Sequence, residues 1–585
     1  MRRLRSSPTN EKGAPVGHIR SFDPSPACTG AAANGGVAHV DHLAHGQVIR
    51  PEWYTVRPGV WTLVGNGLSN QTFIEGPDGI IAIDTGESNE EMRAALARLR
   101  EVTSAPLAAV VYTHFHYVSG TQAAIDDAGH SLPVYGHERI VTNLRRVTNE
   151  IGPAYSRGLV EQFGVAMPAD GPDALVHVGL GLWFRNPAHA PYTNGFVEPD
   201  RTFAAATSLR VAGLRMEVTP APSDADDSVT LWFPDLGVCV HNLFWPALFN
   251  VFAIRGEEYR DPRVLLHGMD HALSLGAEHL VGTHGPPISG AAEIARRARR
   301  SRDAVQFLWD QTVRGINRGW TVDELAGRVR LPDFYDDDYL TSERYGVAEH
   351  HVRQIHNGLR GWFDGDPAKL FPAPPAERAA KLIAGFGGRA DVVTRVEQAV
   401  ADDDLRWAAE MATWLVTAPS SEDEEADADR RRLAGVLRAI GQQTPAANIR
   451  NWCITRARDL EGVTPLARFR THRLRRAEIE RDPLAVLNTL RVLLDPDAAV
   501  GVDAHLRLVV ARWGTAGLHV RNCVAVATDG TAAALTLETD AASWAGLLTG
   551  GGLATLLDSG AATVSGGTAE QVAAILALFD LPETG

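Results

Sequence analysis

From residue 53 onward, short apolar runs alternate with polar turn signals. VWTLVG (60–65), NQTFIEG (70–76) and IIAIDTG (80–86) are β-rich and are separated by Gly, Asn and Asp. SNEEMRAALARLREV follows, with Ser at an N-cap position, Glu early, Arg late and apolar residues at helical spacing, which predicts a helix. The continuous apolar run AAVVYT (108–113) reads as a buried strand, and it leads straight into His114. Further β-rich runs are SLRVAGLRMEVTPA and SVTLWFPDLGVCVHN. A helix, PRVLLHGMDHALSLG, then precedes the short strand HLVGTHG. Strands mixed with helices in this order predict an α/β sandwich.

The flanks read differently. Residues 1–45 are rich in Gly, Ala, Ser and Pro without periodicity, and are expected to form a mobile tail. Beyond 290 the pattern turns helical, beginning with AAEIARRARRSRDAVQFLWDQTVRGI. Several helices are expected over 375–460, where the acidic run SSEDEEADADRRR reads as a solvated loop or a helix start. From 476 a new unit begins, with a helix at DPLAVLNTLRVLL, strands at LRLVVARW, GLHVRNCVAVAT and AALTLET, and small-residue-rich helices to the end.

Composition narrows the function. A chain of 585 residues exceeds one hydrophobic core, so about two to four domains are expected. A net charge of −15 argues against a nucleic-acid partner. Cys28, Cys239, Cys453 and Cys523 are far apart, which argues against a disulfide framework or a zinc–thiolate site. No apolar segment follows the basic N-terminus, and no run is long enough to span a bilayer. A cytoplasmic location is therefore expected.

The sharpest chemical feature is Thr113-His114-Phe115-His116 at the end of a buried strand. Two imidazoles at i and i+2 on a loop can turn toward one metal, although H-x-H alone is a weak signal. Three further polar clusters also sit at strand ends: Asp224, Asp226 and Asp227 in PAPSDADDSVTLWFP, His241-Asn242, and His284 in VGTHGPP. Strand-end loops of a sandwich can converge on one edge.

The order strand–IDTG–helix–AVVYTHFH, then D-x-D-D-S-x-x-x-W-F-P, then G-T-H-G resembles the metallo-β-lactamase superfamily. More narrowly, SNQTFIEGPDGIIAIDTG, AIRGEEYRD, GLRGWFDGDPAKLFP, DDDLRWAAEMATWLV and NIRNWCITRARDLEG resemble the linear alkylsulfatase family, from residue 40 nearly to the end. The resemblance implies an αββα sandwich over 46–325, an all-α dimerisation domain over 326–475 and a sterol-carrier-like α+β domain over 476–585. It also implies a homodimer and a dinuclear zinc site that hydrolyses alkyl sulfate esters. This chain departs from the family's H-x-H-x-D-H motif, because Val118 and Ser119 stand where Asp and His belong.

By resemblance, Asp224 takes the place of a ligating Glu and His284 that of the late metal histidine. Asn242, or His241 one register away, takes the place of a second Glu, and Asp227 is a further donor in the same loop. Arg255, in I-R-G, matches a sulfate-contacting arginine, and His350 falls near a pocket histidine. His114, His116 and Asp224 then complete one site while the second is depleted, so one divalent metal per chain is expected. Zinc comes first, with iron or manganese as alternatives.

Each supporting residue also carries a plainer reading. Asp84 either braces the metal loop or ends a strand in a turn. Arg255 either holds an anion or forms a surface ion pair with Glu257 or Glu258. His350 is either a general acid or a helix-cap histidine. Tyr117 either donates to substrate or packs beneath the loop. The run PALFNVFAI lines an alkyl pocket or is ordinary core. The leading expectation is a metal-dependent hydrolase acting on a small molecule with anionic and apolar parts. A mononuclear iron oxygenase or lyase on the same scaffold and a non-catalytic apolar-ligand binder are the alternatives.

Overall fold

The computed structural model describes residues 21–22, 26–469 and 474–581. They divide into two compact units, one comprising 1–141 with 158–465 and the other 142–157 with 466–585.

The first unit opens with a small antiparallel pair, β1 (Thr29–Ala31) and β2 (Val37–His39), and a helix, Val40–His45. Part of the expected tail, 1–20 and 23–25, lies outside the described residues. The rest corrects that expectation, because 26–45 is folded. His42 and His45 are buried although the stretch is polar in sequence. His42 stacks on His177 with ring centroids 3.7 Å apart, and His45 Nε2 meets the Gly179 carbonyl at 2.8 Å. Arg450, fully buried, donates to the carbonyls of Val37 (3.0 Å) and Ala174 (2.9 Å). These polar contacts, rather than apolar periodicity, anchor the segment.

Two sheets follow. The first runs in sequence order through β3 (Glu52–Arg57), β4 (Val60–Val64), β5 (Gln71–Gly76), β6 (Gly79–Ile83), β7 (Leu107–Val111), β8 (Val134–His137) and β9 (Arg201–Phe203). It is antiparallel up to β6 and parallel from β6 to β9. The second comprises β10 (Thr207–Val211), β11 (Leu214–Pro220), β12 (Val229–Phe233), β13 (Val238–His241), β14 (His279–Gly282) and β15 (Ile288–Ser289), with β13 and β14 parallel.

Alternation along the strands builds the layers. Ile81 and Ile83 of β6, Ala109 and Val111 of β7, and Val238 and Val240 of β13 share one core with Met216, Leu231 and Val281, which lies between the sheets. Cys239 of β13 belongs to the core on the opposite face, where helices Pro262–Ser274 and Ala291–Asn317 pack with Leu265, Met269 and Leu308. Helix Asn89–Arg100 is capped by Ser88, as expected, and buries Met92, Leu96 and Leu99. The result is the αββα arrangement.

The middle helices, Pro375–Gly385, Arg389–Ala401, Leu405–Thr417, Asp423–Gln443 and Ala447–Leu460, form their own core around Val396, Met411, Leu415 and Leu433 within the first unit. The acidic run is a helix start. Asp423, Glu424 and Glu425 occupy the first turn of Asp423–Gln443, where the helix dipole favours negative charge.

The second unit carries a five-stranded sheet of β16 (Asp503–Val510), β17 (Gly514–Arg521), β18 (Val524–Thr528), β19 (Leu535–Thr539) and β20 (Ala562–Ser565), in the order β18-β17-β16-β19-β20. Leu506, Leu508, Val520, Leu537 and Trp544 centre its core. Its sheet and helices make it an α+β unit.

Candidate metal centre

The parallel strands of both sheets end at one edge. Asp84 follows β6, Thr113 and His114 follow β7, Asn242 follows β13 and His284 follows β14. Asp224 lies in the loop between β11 and β12. His114, His116 and Asp224 meet there, with one ligand atom from each lying within 4.8 Å of the others. Asp224 Oδ2 is 3.2 Å from His116 Nδ1, and Asp224 Oδ1 is 3.8 Å from His114 Nε2.

The orientation of His114 follows from proton counting. Asp84 holds the backbone N–H of Thr113 at 2.8 Å and its hydroxyl at 2.7 Å. The Thr113 hydroxyl has one proton, spent on Asp84, so its oxygen accepts from His114 Nδ1 at 2.9 Å. That leaves the Nε2 lone pair facing Asp224. Asp84 therefore braces the metal loop from behind, and it does so at φ +55°, a backbone region costly for a non-glycine residue.

Electrostatics agree with a ligand set. Burial first, with His116 and His284 nearby, lowers the His114 pKa to about 3, although Asp224 opposes this. His114 is therefore neutral. Burial would raise the Asp224 carboxyl, but the contacts and charges around it, those of His116 and Arg260 among them, outweigh burial and hold it well below the usual carboxylate range. At His116 burial works downward, yet Asp224 and Glu257 hold its pKa up at about 9. Neither ring nitrogen of His116 makes a directed hydrogen bond, although carboxylates face both. Two imidazoles and a carboxylate, with His114 Nε2 meeting the Asn242 amide nitrogen only at 3.4 Å, fit a divalent ion, whose binding would displace the His116 proton.

The other candidates separate. Asn242 belongs to the cluster but presents its amide nitrogen, which donates to Asp224 Oδ1 at 2.5 Å. Its oxygen accepts the Trp245 indole N–H at 2.9 Å. Because an indole nitrogen only donates, this fixes which end of the amide faces Asp224, and the end offered is not a ligand. His241 does not replace it. Its Nδ1 accepts the Leu243 N–H at 3.2 Å, and its ring packs on Phe244. His284 donates Nδ1–H to the Leu68 carbonyl at 2.9 Å, so its Nε2 accepts from the Tyr117 hydroxyl at 3.3 Å. The Tyr117 proton is thus engaged by His284, and its ring is buried against His114, His116 and His284. Asp227 is fully buried and its charge acts on Asp84, whereas Asp226 pairs outward with Arg139. Ser119 N–H bonds the Gly86 carbonyl, and Val118 bridges Gly86. Among the described residues, no other group of three His, Cys, Asp or Glu is arranged for an ion.

Arg255 and His350 correct their expected surroundings. Arg255 does pair with Glu257, but both are buried, so the pair is not a surface feature. His350 lies on the half-buried side of helix Ala348–Arg360, against the Phe252 ring and beside Glu349. Its neighbour His351 is the one fully buried, accepting the Phe252 N–H through Nδ1 at 3.3 Å and sensing the charge of Arg260. Leu243, Phe244, Trp245, Leu248 and Phe249 of PALFNVFAI and its approach are core. Sequence reasoning missed Glu257 as a site residue. Its carboxylate lies 3.3 Å from His116 Nε2 and is also paired with Arg260. The only signal was the charge spacing in RGEEYR.

Comparison with known proteins adds the lineage. Residues 321–462 match the family model for alkyl sulfatase dimerisation, and residues 64–117 match that for the metallo-β-lactamase superfamily. A linear primary-alkylsulfatase of Pseudomonas sp. (strain ATCC 19151) is 35% identical over 398 residues, which is 66% of this chain and 73% of that protein. An (R)-specific secondary-alkylsulfatase of Pseudomonas sp. is 28% identical over 472 residues, 78% of this chain and 69% of that protein. The structure of the stereoselective inverting sec-alkylsulfatase Pisa1 from Pseudomonas sp. superposes with a TM-score of 0.81 at 25% identity, covering 95% of this chain and 88% of that one.

Proposed function

This chain belongs to the alkylsulfatase family of the metallo-β-lactamase superfamily and is a metal-dependent, sulfatase-like hydrolase, and from that premise we propose that it cleaves alkyl sulfate esters at a single-metal centre. The observation that carries the reading is the buried His114–His116–Asp224 cluster at the strand ends, linked through Glu257 to the guanidinium of Arg255.

His114 through Nε2, His116 through Nδ1 and Asp224 would hold the ion. When bound, the ion supplies a Lewis acid and lowers the pKa of water to near neutrality. The surrounding residues prepare the ligands. Thr113 and Asp84 fix the His114 tautomer, and Asn242, itself held by Trp245, fixes the Asp224 carboxylate. Arg255 recognises the sulfate group, for which its planar fork is suited. Tyr117, hydrogen-bonded to His284, packs its ring against both histidine ligands.

A single ion is supported by three facts. Val118 and Ser119 offer no ligand in the first motif, Asn242 turns its nitrogen inward, and the ring nitrogens of His284 are engaged by Leu68 and Tyr117. Zinc fits this nitrogen–oxygen set. The dimerisation region supports a homodimer, and no helix among the described residues is long and apolar enough to cross a membrane.

The test is inorganic sulfate release from a panel of primary and secondary alkyl sulfates. The expected result is release that stops on chelation and in H114A, with R255A raising KM more than it lowers kcat. No release from any ester by zinc-loaded protein would overturn the reading.

A further inference from the structure

Glu257 links the ligand cluster to Arg255, but its own negative charge has no role in the hydrolytic reading. One oxygen of its carboxylate faces the Nε2 of His116 at 3.3 Å and pairs with Arg255 Nη2. The other oxygen pairs with Arg260 Nη2. All three charged side chains are at most 7% exposed. Both arginines are themselves fixed. The Arg255 backbone N–H donates to Gln162 Oε1 at 3.2 Å, and its guanidinium lies over Phe163. Arg260 Nη1 donates to the Asn250 carbonyl at 2.7 Å, and its guanidinium lies over Trp245. Two immobilised guanidinium groups and the outer edge of an imidazole form a cationic place of the kind that receives an oxyanion. Here a carboxylate from two residues along the chain already fills it.

We propose that Glu257 is the built-in anion of this site, filling the cationic place between Arg255, Arg260 and His116 that an ester's sulfate group uses, so that the headgroup must displace it to bind. This rests on the reading of Arg255 as the sulfate-recognising residue. Glu257 is thereby a specificity-determining residue. Only headgroups that compete with a carboxylate for two arginines gain entry, and neutral or weakly anionic esters gain nothing from the exchange. A carboxylate on the far nitrogen of a ligand histidine also orients that histidine, so the same residue holds His116 with Nδ1 toward Asp224.

The test is calorimetric titration of inorganic sulfate into metal-loaded wild type, E257Q, E257D, R255A and E257Q/R255A. Removing the competing charge while keeping the side chain's shape should tighten sulfate binding in E257Q by about tenfold or more. E257D, which retains the charge, should stay near wild type, and the double variant should lose the gain. Sulfate should also raise the melting temperature of E257Q more than that of wild type, a readout that survives if E257Q is less stable. Unchanged or weaker sulfate binding in E257Q, with R255A weakened, would overturn the proposal and leave Arg255 as the sulfate contact. Equal binding in wild type, E257Q and R255A would show that the reading of Arg255 fails, and the proposal with it.

Discussion

Replacing Thr113 with valine removes one oxygen from the back of the metal centre. The hydroxyl donates to Asp84 at 2.7 Å and accepts from His114 Nδ1 at 2.9 Å, and all three groups are buried. A buried polar group left without its partner costs about 1–3 kcal/mol. Asp84 retains the Thr113 backbone N–H, so its loss falls at the low end, whereas the His114 Nδ1–H is left facing only the Asn242 amide nitrogen at 3.5 Å, itself a donor. T113V should therefore destabilise the metal-free protein by about 2–4 kcal/mol. The effect on the ion is the sharper measure. Without its acceptor the His114 ring is no longer fixed with Nε2 forward, and zinc affinity should fall by about 10- to 100-fold. Competition against a chromogenic chelator measures it, with urea unfolding in chelator measuring stability. T72V is the control, because it removes a different buried hydroxyl, which pairs with Thr62 at 2.9 Å across β4 and β5. It should lose stability with zinc affinity intact. If T113V binds zinc as tightly as wild type, the hydroxyl does not set the His114 tautomer.

Two further outcomes follow from the same contacts. Burial first, with Arg344 adding to it against the Gly179 carbonyl, lowers the His45 pKa to about 4. Burial first, with His45 and Arg450, lowers that of His177 to about 3. These imidazoles bind fewer protons folded than unfolded, so their contribution is complete above about pH 6.5 and is lost as pH falls toward 4. H45Q should flatten the pH dependence of the urea midpoint in that window by up to about 1.4 kcal/mol per pH unit, and an unchanged slope would refute the assignment. The combined variant V118D/S119H/N242E restores carboxylate and imidazole donors where the family pattern has them. It should raise metal bound per chain by one equivalent in elemental analysis, whereas no increase would mean the backbone there is not shaped for a second ion.

Much of the architecture was legible because it rests on periodicity. The apolar runs that became β4, β6 and β7, and the capped helix after Ser88, are written in hydrophobic spacing and an N-cap. The H-x-H pair was legible because it ends such a run. The choice between His241 and Asn242 was also available in principle. Val238 and Val240 face the inter-sheet core while Cys239 faces the helices, and Asn242 continues the parity of the valines. His350 and His351 separate in the same way, since Ala348, His351, Val352 and Ile355 form the buried face of their helix. The rest depends on tertiary contact. Glu257 lies in a loop without periodicity, and only the fold carries its carboxylate to His116. The histidines of 39–45 read as part of a mobile tail because their partners, His177 and Arg450, are more than a hundred residues away.

The most direct test of the account is the metal content of protein purified without chelator or a metal-affinity column, measured by elemental analysis in wild type and in H114A/H116A. The account predicts about one zinc per chain in wild type and none in the double variant. Two ions per chain would contradict the single-metal centre. One ion retained without His114 and His116 would contradict the ligand set itself.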